Sequence, residues 1–226
     1  MLPLRDNVPT RSRPVVTYAL IAANILVWVL YQLSDLQGSV DELAYHPCEV
    51  EGSCPTIGEG WLLTAITSMF LHGSWAHLLG NMLFLWIFGN NVEDALGRLR
   101  FLLFYVTGGI AATALQTFVT LGYASELEGT IPHVGASGAI SAVLGGYLVL
   151  LPHAKVLTLI FFILREIPAV LFLLVWFGFQ LWDGSASLSH PEEGGGVAFF
   201  AHIGGFVFGA LAVKLLQQRR PLAPTH

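Results

Sequence analysis

The sequence predicts an all-α polytopic membrane protein, a compact bundle of six transmembrane helices with both termini on the cytoplasmic side. Three observations carry this. Of 226 residues 54% are hydrophobic and only 11% charged, against about 25% charged in a soluble domain. Uncharged apolar runs of the length that a bilayer requires, roughly 17 to 25 residues, recur along the chain. The ten Lys and Arg are segregated from most of the fifteen Asp and Glu. The same numbers exclude a disordered chain. A net charge of −5 leaves no basic surface for nucleic acid. The 24 glycines have no period and there are two cysteines, so collagen-like and disulfide-framework classes also fail.

Residues 1–14 read as a cytoplasmic tail, and 15–218 as the membrane domain. Val15–Ser34 is the first span. It is followed by polar Ser34-Asp35 rather than a small-residue cleavage site, so it reads as a retained anchor. The outer loop 35–75 carries Cys48 and Cys54. Five intervening residues permit a disulfide-closed loop and equally allow two free thiols. Trp61–Leu71 is too short to cross and reads as an interfacial or re-entrant piece. Ala76–Asn90, Phe101–Leu121, Gly135–Leu151, Ile167–Trp182 and Val197–Val213 follow as spans two to six. Val156–Leu164, nine apolar residues, reads as an interfacial segment or an extension of the fifth helix. Residues 219–226 form a second cytoplasmic tail.

Charge tests the count. With six spans and the N-terminus inside, Arg5, Arg11, Arg13, Arg98, Arg100, Lys155, Arg165, Lys214, Arg219 and Arg220 all fall inside. Outside are Asp35, Asp41, Glu42, Glu49, Glu51, Glu59, Glu126, Glu128, Asp183, Glu192 and Glu193. Basic residues resist translocation, so this pattern fixes orientation.

Polar side chains inside a bilayer are expensive and call for a partner or a function. Span two opens on His77 and Asn81, one helical turn apart on one face. Span four opens on Gly135-Ala136-Ser137-Gly138, and span six on Ala201-His202-Ile203-Gly204-Gly205. All three clusters lie at the outer ends of even-numbered helices. A serine hydroxyl needs a base to become a nucleophile, and His202 offers one to Ser137. Lacking a carboxylate in the outer half of any span, the sequence supports a dyad. His77, Asn81 and the helix-start N–H of Ser137 offer donors for an oxyanion. Gly135, Ala136 and Gly138 let substrate backbone approach. Gly205 and Gly209, at small-xxx-small spacing, read as close helix packing. His46, His133, His153, His190 and His226 read as solvated. His72, His77 and His202 lack the carboxylate or HExxH pattern of a metal site, so neither metal nor cofactor is expected.

His72 through Asn81, Gly135-Ala136-Ser137-Gly138 and Ala201 through Gly209, in that order, resemble the motifs of the rhomboid family of intramembrane serine proteases. Gly89-Asn90-Asn91-Val92-Glu93-Asp94-Ala95-Leu96-Gly97 is similar to that family's inner turn. The resemblance covers roughly 61–213. It implies Ser137 as nucleophile, His202 as base, His77 and Asn81 in the oxyanion hole, and His72 as a structural hydrogen-bonding residue. Glu93 would anchor the inner end of the second helix near Arg98 and Arg100, or be an ordinary interfacial charge. Two positions depart from the pattern: Leu63-Thr64 stands where many members carry Trp-Arg, and Ser141 where some carry an aromatic residue beneath the histidine ring. The expected function is hydrolysis of peptide bonds in or next to transmembrane segments of protein substrates, at a site opening to the extracytoplasmic side of the cell membrane. The aromatic-rich Phe172–Trp182 stretch is the expected lateral gate. The alternative is an inactive rhomboid-like scaffold that binds transmembrane clients.

Overall fold

The structure is a computed structural model and describes residues 1–54, 60–124, 126–189 and 198–225. Glu59, His190, Glu192, Glu193, Val197 and His226, used in the sequence argument, lie outside the described residues. The fold is predominantly helical. In chain order its elements are strand β1 (Leu2–Asp6), helices α1 (Val15–Val27), α2 (Leu36–Leu43), α3 (Trp61–Thr67), α4 (Trp75–Phe84), α5 (Asn90–Leu96), α6 (Arg98–Tyr123), α7 (Glu126–Gly129) and α8 (Ser137–Leu150), strands β2 (Lys155–Ile160) and β3 (Ile163–Pro168), and helices α9 (Ala169–Ser189) and α10 (Phe199–Leu216). Among the described residues four helices are long and apolar enough to cross a membrane: Val15–Gln32, Arg98–Tyr123, Ala169–Ser187 and Phe199–Leu216. Ser137–Leu150 is apolar but shorter. The second predicted span is a composite, α4 running through a π-helical turn, Leu85–Gly89, into α5. The predicted interfacial piece is a short helix, α3 with a 3₁₀ turn over Ser68–Phe70.

One expectation fails outright: the chain is not all-α. β2 and β3 form an antiparallel hairpin, and β1 joins it in the order β1-β2-β3. Val156–Leu164 is therefore not an extension of the fifth helix. The reason lies in its period. Val156, Thr158 and Ile160 are β-branched and two apart, so they share one face of a strand, and Val156 and Thr158 are fully buried. Within residues 1–14, Leu2–Asp6 supplies the edge strand of this sheet.

The core is built around α8, sheathed by α6 and α10. Small residues let the backbones close up. A Cβ on Gly145, Gly205 or Gly209 would fall within the contact distance of a backbone carbonyl across the α8–α10 interface.

Buried carboxylates lock one end of the bundle. Pro14 gives α1 no side-chain cap, and Glu93 caps it from another helix. One Glu93 carboxylate oxygen accepts from Val16 N–H at 3.0 Å, the other from Thr17 N–H and Oγ1 at 2.8 Å. These groups, not Arg98 or Arg100, are its partners. Asp94 beside it pairs with Arg11 at 3.0 Å. Asn7 and Thr225 hydrogen-bond each other's backbone at the same end. The opposite end joins the outer loop to the α7–α8 connection. Tyr45 and His133 pair as an antiparallel bridge, and Tyr45 Oη lies 2.6 Å from Thr117 Oγ1 on α6. Cys48 and Cys54 form a disulfide there, Cα atoms 5.1 Å apart.

Candidate active site

Ser137 is the first residue of α8. Gly135, at φ +125°, makes the sharp turn into the helix, a conformation that a Cβ would oppose. The Gly135 N–H is tied to the Ser68 carbonyl at 2.9 Å. A Cβ on Gly135 would also sit 2.7 Å from Cε1 of His77, so this glycine admits the imidazole beside the serine.

His202 lies in the first turn of α10, whose N-terminus has no side-chain cap of its own. Gln116 on α6 fills that place, its Oε1 accepting from Ala201 N–H at 3.1 Å. The arrangement brings His202 Nε2 to 2.8 Å from Ser137 Oγ. On the other ring edge, Nδ1 lies 2.6 Å from Gln180 Oε1 on α9. The Trp176 ring is tilted against the imidazole at 6.1 Å between centroids. Gln180 and Trp176 lie in the Phe172–Trp182 stretch expected as a lateral gate, and the sequence singles out neither as a partner of His202. A lone glutamine in an apolar helix carries no motif; the available signal was that such an amide needs a partner. Ser141, at the position where an aromatic residue would lie under the histidine, instead donates to the Ser137 carbonyl at 2.7 Å. The aromatic support comes from α9.

α4 brings His77 and Asn81 to the same cavity, about 580 Å³, which Ser137, Trp176 and His202 also line. Ser74 caps α4 by accepting from His77 N–H at 3.1 Å. Gly73 N–H donates to His77 Nδ1 at 3.4 Å, which leaves the proton on Nε2, a donor on the Gly135 side. Asn81 Nδ2 is buried without a hydrogen-bond partner among the described residues. Such a donor normally finds an acceptor. Ala136 is buried directly before the serine.

His72 is held in the loop before α4. Its ring makes no hydrogen bond in good geometry among the described residues and packs edge-on against His77 at 5.1 Å. Its backbone does the tying. Gln32 at the end of the first spanning helix accepts from His72 N–H at 2.8 Å and donates to its carbonyl at 3.1 Å. His133 is not a solvated loop histidine; it lines the cavity, and burial pushes it down to about 4. Glu93 lies at the far end of the bundle from Ser137. Gly205 and Gly209 hold α10 to α8, fixing the spacing between serine and histidine. Groups of three or more metal-ligating side chains are absent among the described residues.

An apolar helical bundle thus holds a hydrogen-bonded serine–histidine pair in a cavity of mixed polar and apolar walls, and sequence comparison names the class of protein. Residues 59–219 match the Rhomboid domain, and the chain belongs to the rhomboid family of integral membrane proteins. It is 29% identical over 210 residues to Rhomboid protein 1, mitochondrial, of Saccharomyces cerevisiae, covering 90% of this chain and 56% of the yeast protein. It is 32% identical over 206 residues to the rhomboid protease GluP of Bacillus subtilis, covering 91% of this chain and 35% of GluP. The putative rhomboid protease YdcA of Bacillus subtilis is 34% identical over 142 residues, 61% of this chain and 63% of YdcA. The chain thus spans little more than half the yeast protein and about a third of GluP.

Proposed function

We propose that the chain is an intramembrane serine endopeptidase that hydrolyses peptide bonds in or next to transmembrane segments of other membrane proteins. The observation that carries this reading is the 2.8 Å contact between His202 Nε2 and Ser137 Oγ, in a cavity that also holds the unpartnered donor Asn81 Nδ2. Relatives named as proteases support it.

The chemistry follows from the geometry. Ser137 Oγ attacks the scissile carbonyl carbon as its proton passes to His202 Nε2. The carbonyl oxygen becomes an oxyanion, stabilised by Asn81 Nδ2–H, His77 Nε2–H and the Ser137 backbone N–H. Collapse breaks the C–N bond, and the imidazolium returns the proton to the leaving amine. Water, deprotonated by the same nitrogen, then releases the acyl group and restores the serine. At 1.5 Å per residue α8 is about 21 Å long, shorter than a bilayer core of about 30 Å. Its N-terminal serine is then recessed beneath the outer surface, open to water through the cavity. A helical substrate must unwind there, because its carbonyls are already bonded.

The same reading takes six crossings, with both termini cytoplasmic and the cavity opening on the extracytoplasmic side of the cell membrane. The segregation of basic residues and the contact between Asn7 and Thr225 support it.

A fluorophosphonate probe tests the nucleophile. Purified protein should label, and Ser137→Ala should not. A transmembrane reporter should be cleaved by wild type, and on the order of 10²- to 10⁴-fold more slowly by His202→Ala, the usual contribution of a positioned base. An unlabelled wild type, or equal labelling of Ser137→Ala, would favour the inactive scaffold.

A further inference from the structure

A neutral imidazole has one N–H and one lone pair. The 2.8 Å contact between Nε2 and Ser137 Oγ is compatible with either direction of donation, yet only one is useful. If Nε2 carries the proton, the ring donates to the serine and cannot act as its base. The group opposite Nδ1 decides, and in serine hydrolases of the triad type a carboxylate does so. Among the described residues no carboxylate lines the cavity; the titratable side chains there besides His202 are His77 and His133.

The amide of Gln180 occupies that place, Oε1 at 2.6 Å from Nδ1. A carbonyl oxygen only accepts, so Nδ1 must donate and Nε2 is left with its lone pair toward Ser137. Gln180 lies in the apolar run Phe177-Gly178-Phe179-Gln180-Leu181-Trp182, where an amide is costly unless bonded. Trp176 is one turn before it on the same face of α9 and packs against the imidazole and Phe206, centroids 6.1 and 5.9 Å away. One α9 face thus holds the ring by its edge and by its plane.

We propose that Gln180 is a positioning residue, holding His202 in the Nδ1–H tautomer that leaves Nε2 free to take the Ser137 proton. This rests on the reading of Ser137 and His202 as nucleophile and base, and it makes the unit a serine–histidine–glutamine relay across three helices.

Two variants of the full chain in detergent test it. Gln180→Met keeps the length and removes the oxygen. Gln180→Glu keeps an acceptor oxygen at the same reach in either protonation state. Side-chain ¹⁵N NMR should show His202 as the Nδ1–H tautomer in wild type and Gln180→Glu, and as a mixture in Gln180→Met. On a transmembrane reporter, Gln180→Met should lower kcat on the order of 10- to 100-fold, part of what a positioned base contributes. KM should change little, because the orientation acts in the transition state. Gln180→Glu should restore most of kcat. An unchanged tautomer or unchanged kcat in Gln180→Met, or a Gln180→Glu as impaired as Gln180→Met, overturns the proposal. Wild type that resists the fluorophosphonate probe, yet shows the tautomer shift on Gln180→Met, defeats the protease reading and leaves the positioning role standing.

Discussion

Asp6 on β1 is a carboxylate whose surroundings oppose its charge. Tyr147 Oη and Asn91 Nδ2 both donate to its Oδ2 at 2.6 Å, which favours the anion. Burial outweighs them and pushes the group up to about 6 from 3.8. A raised acid is a stabilising element only while protonated. Its contribution is complete below about pH 4 and is lost as the pH rises through 6. At 1.36 kcal/mol per pKa unit this amounts to about 2–3 kcal/mol. His72 and His133 have the opposite sign. Burial pushes them down to about 3 and about 4 from 6.5. Their contribution is present above pH 6.5 and lost as the pH falls toward those values. Comparison with Asp6→Asn, a neutral isostere, separates the two effects. Between about pH 4 and pH 7 wild type should lose about 2–3 kcal/mol of unfolding free energy relative to Asp6→Asn, read by denaturation in detergent. Parallel pH profiles for the two proteins would show that Asp6 is not the titrating group.

At the scale of elements, α8 and α10 are held together by the absence of side chains, and that placement sets the serine–histidine distance. Gly205→Ala and Gly209→Ala would drive a methyl into the carbonyls of Gly138 and Ala142. Each should cost on the order of 1–3 kcal/mol, the usual penalty for overpacking, and cut labelling of Ser137. Gly178→Ala on α9 meets nothing within 4 Å and should be neutral, or stabilising by up to about 1 kcal/mol through helix propensity. Equal behaviour of the three in thermal unfolding would refute this packing account. The contrast also shows what was legible in the sequence. Hydropathy marks the long helices because a span is a contiguous, compositional signal, and Gly-x3-Gly marks the close approach because the spacing is local. β2 and β3 were hidden because nine apolar residues look alike in a helix or a strand by hydropathy alone. Only the β-branched residues at Val156, Thr158 and Ile160 distinguish them. Ser137, His202, His77 and Asn81 stood out as polar residues in apolar runs, and the structure brings all four to one cavity. The pairing of Gln180 with His202 and the capping of α1 by Glu93 were not legible, since each depends on how two separate helices pack.

At the scale of the whole molecule, the contacts sort the chain into two ends. Asp6 touches Asn91 and Tyr147, β1 pairs with β2, and Asn7 meets Thr225. The N-terminal segment, the α5–α6 junction, the α8–α9 hairpin and the C-terminal segment therefore share one end. With the six crossings proposed above, these segments would fall after none, two, four and six of them. The ten basic residues belong to the same segments, where a cytoplasmic face would hold them. Tyr45, His133, the disulfide and the cavity belong to the other end. Cys48 and Cys54 are bonded to each other, so a single introduced cysteine is the only free thiol, and a membrane-impermeant maleimide then reports its side. Asp41→Cys and Thr130→Cys, both at exposed positions, should label in intact bacterial cells. Arg5→Cys, Lys155→Cys and Arg219→Cys, also exposed, should label only after permeabilisation. Labelling of Arg5→Cys in intact cells would reverse the orientation. Opposite sides for Arg5→Cys and Arg219→Cys would rule out an even number of crossings, and with it a site that opens away from both termini.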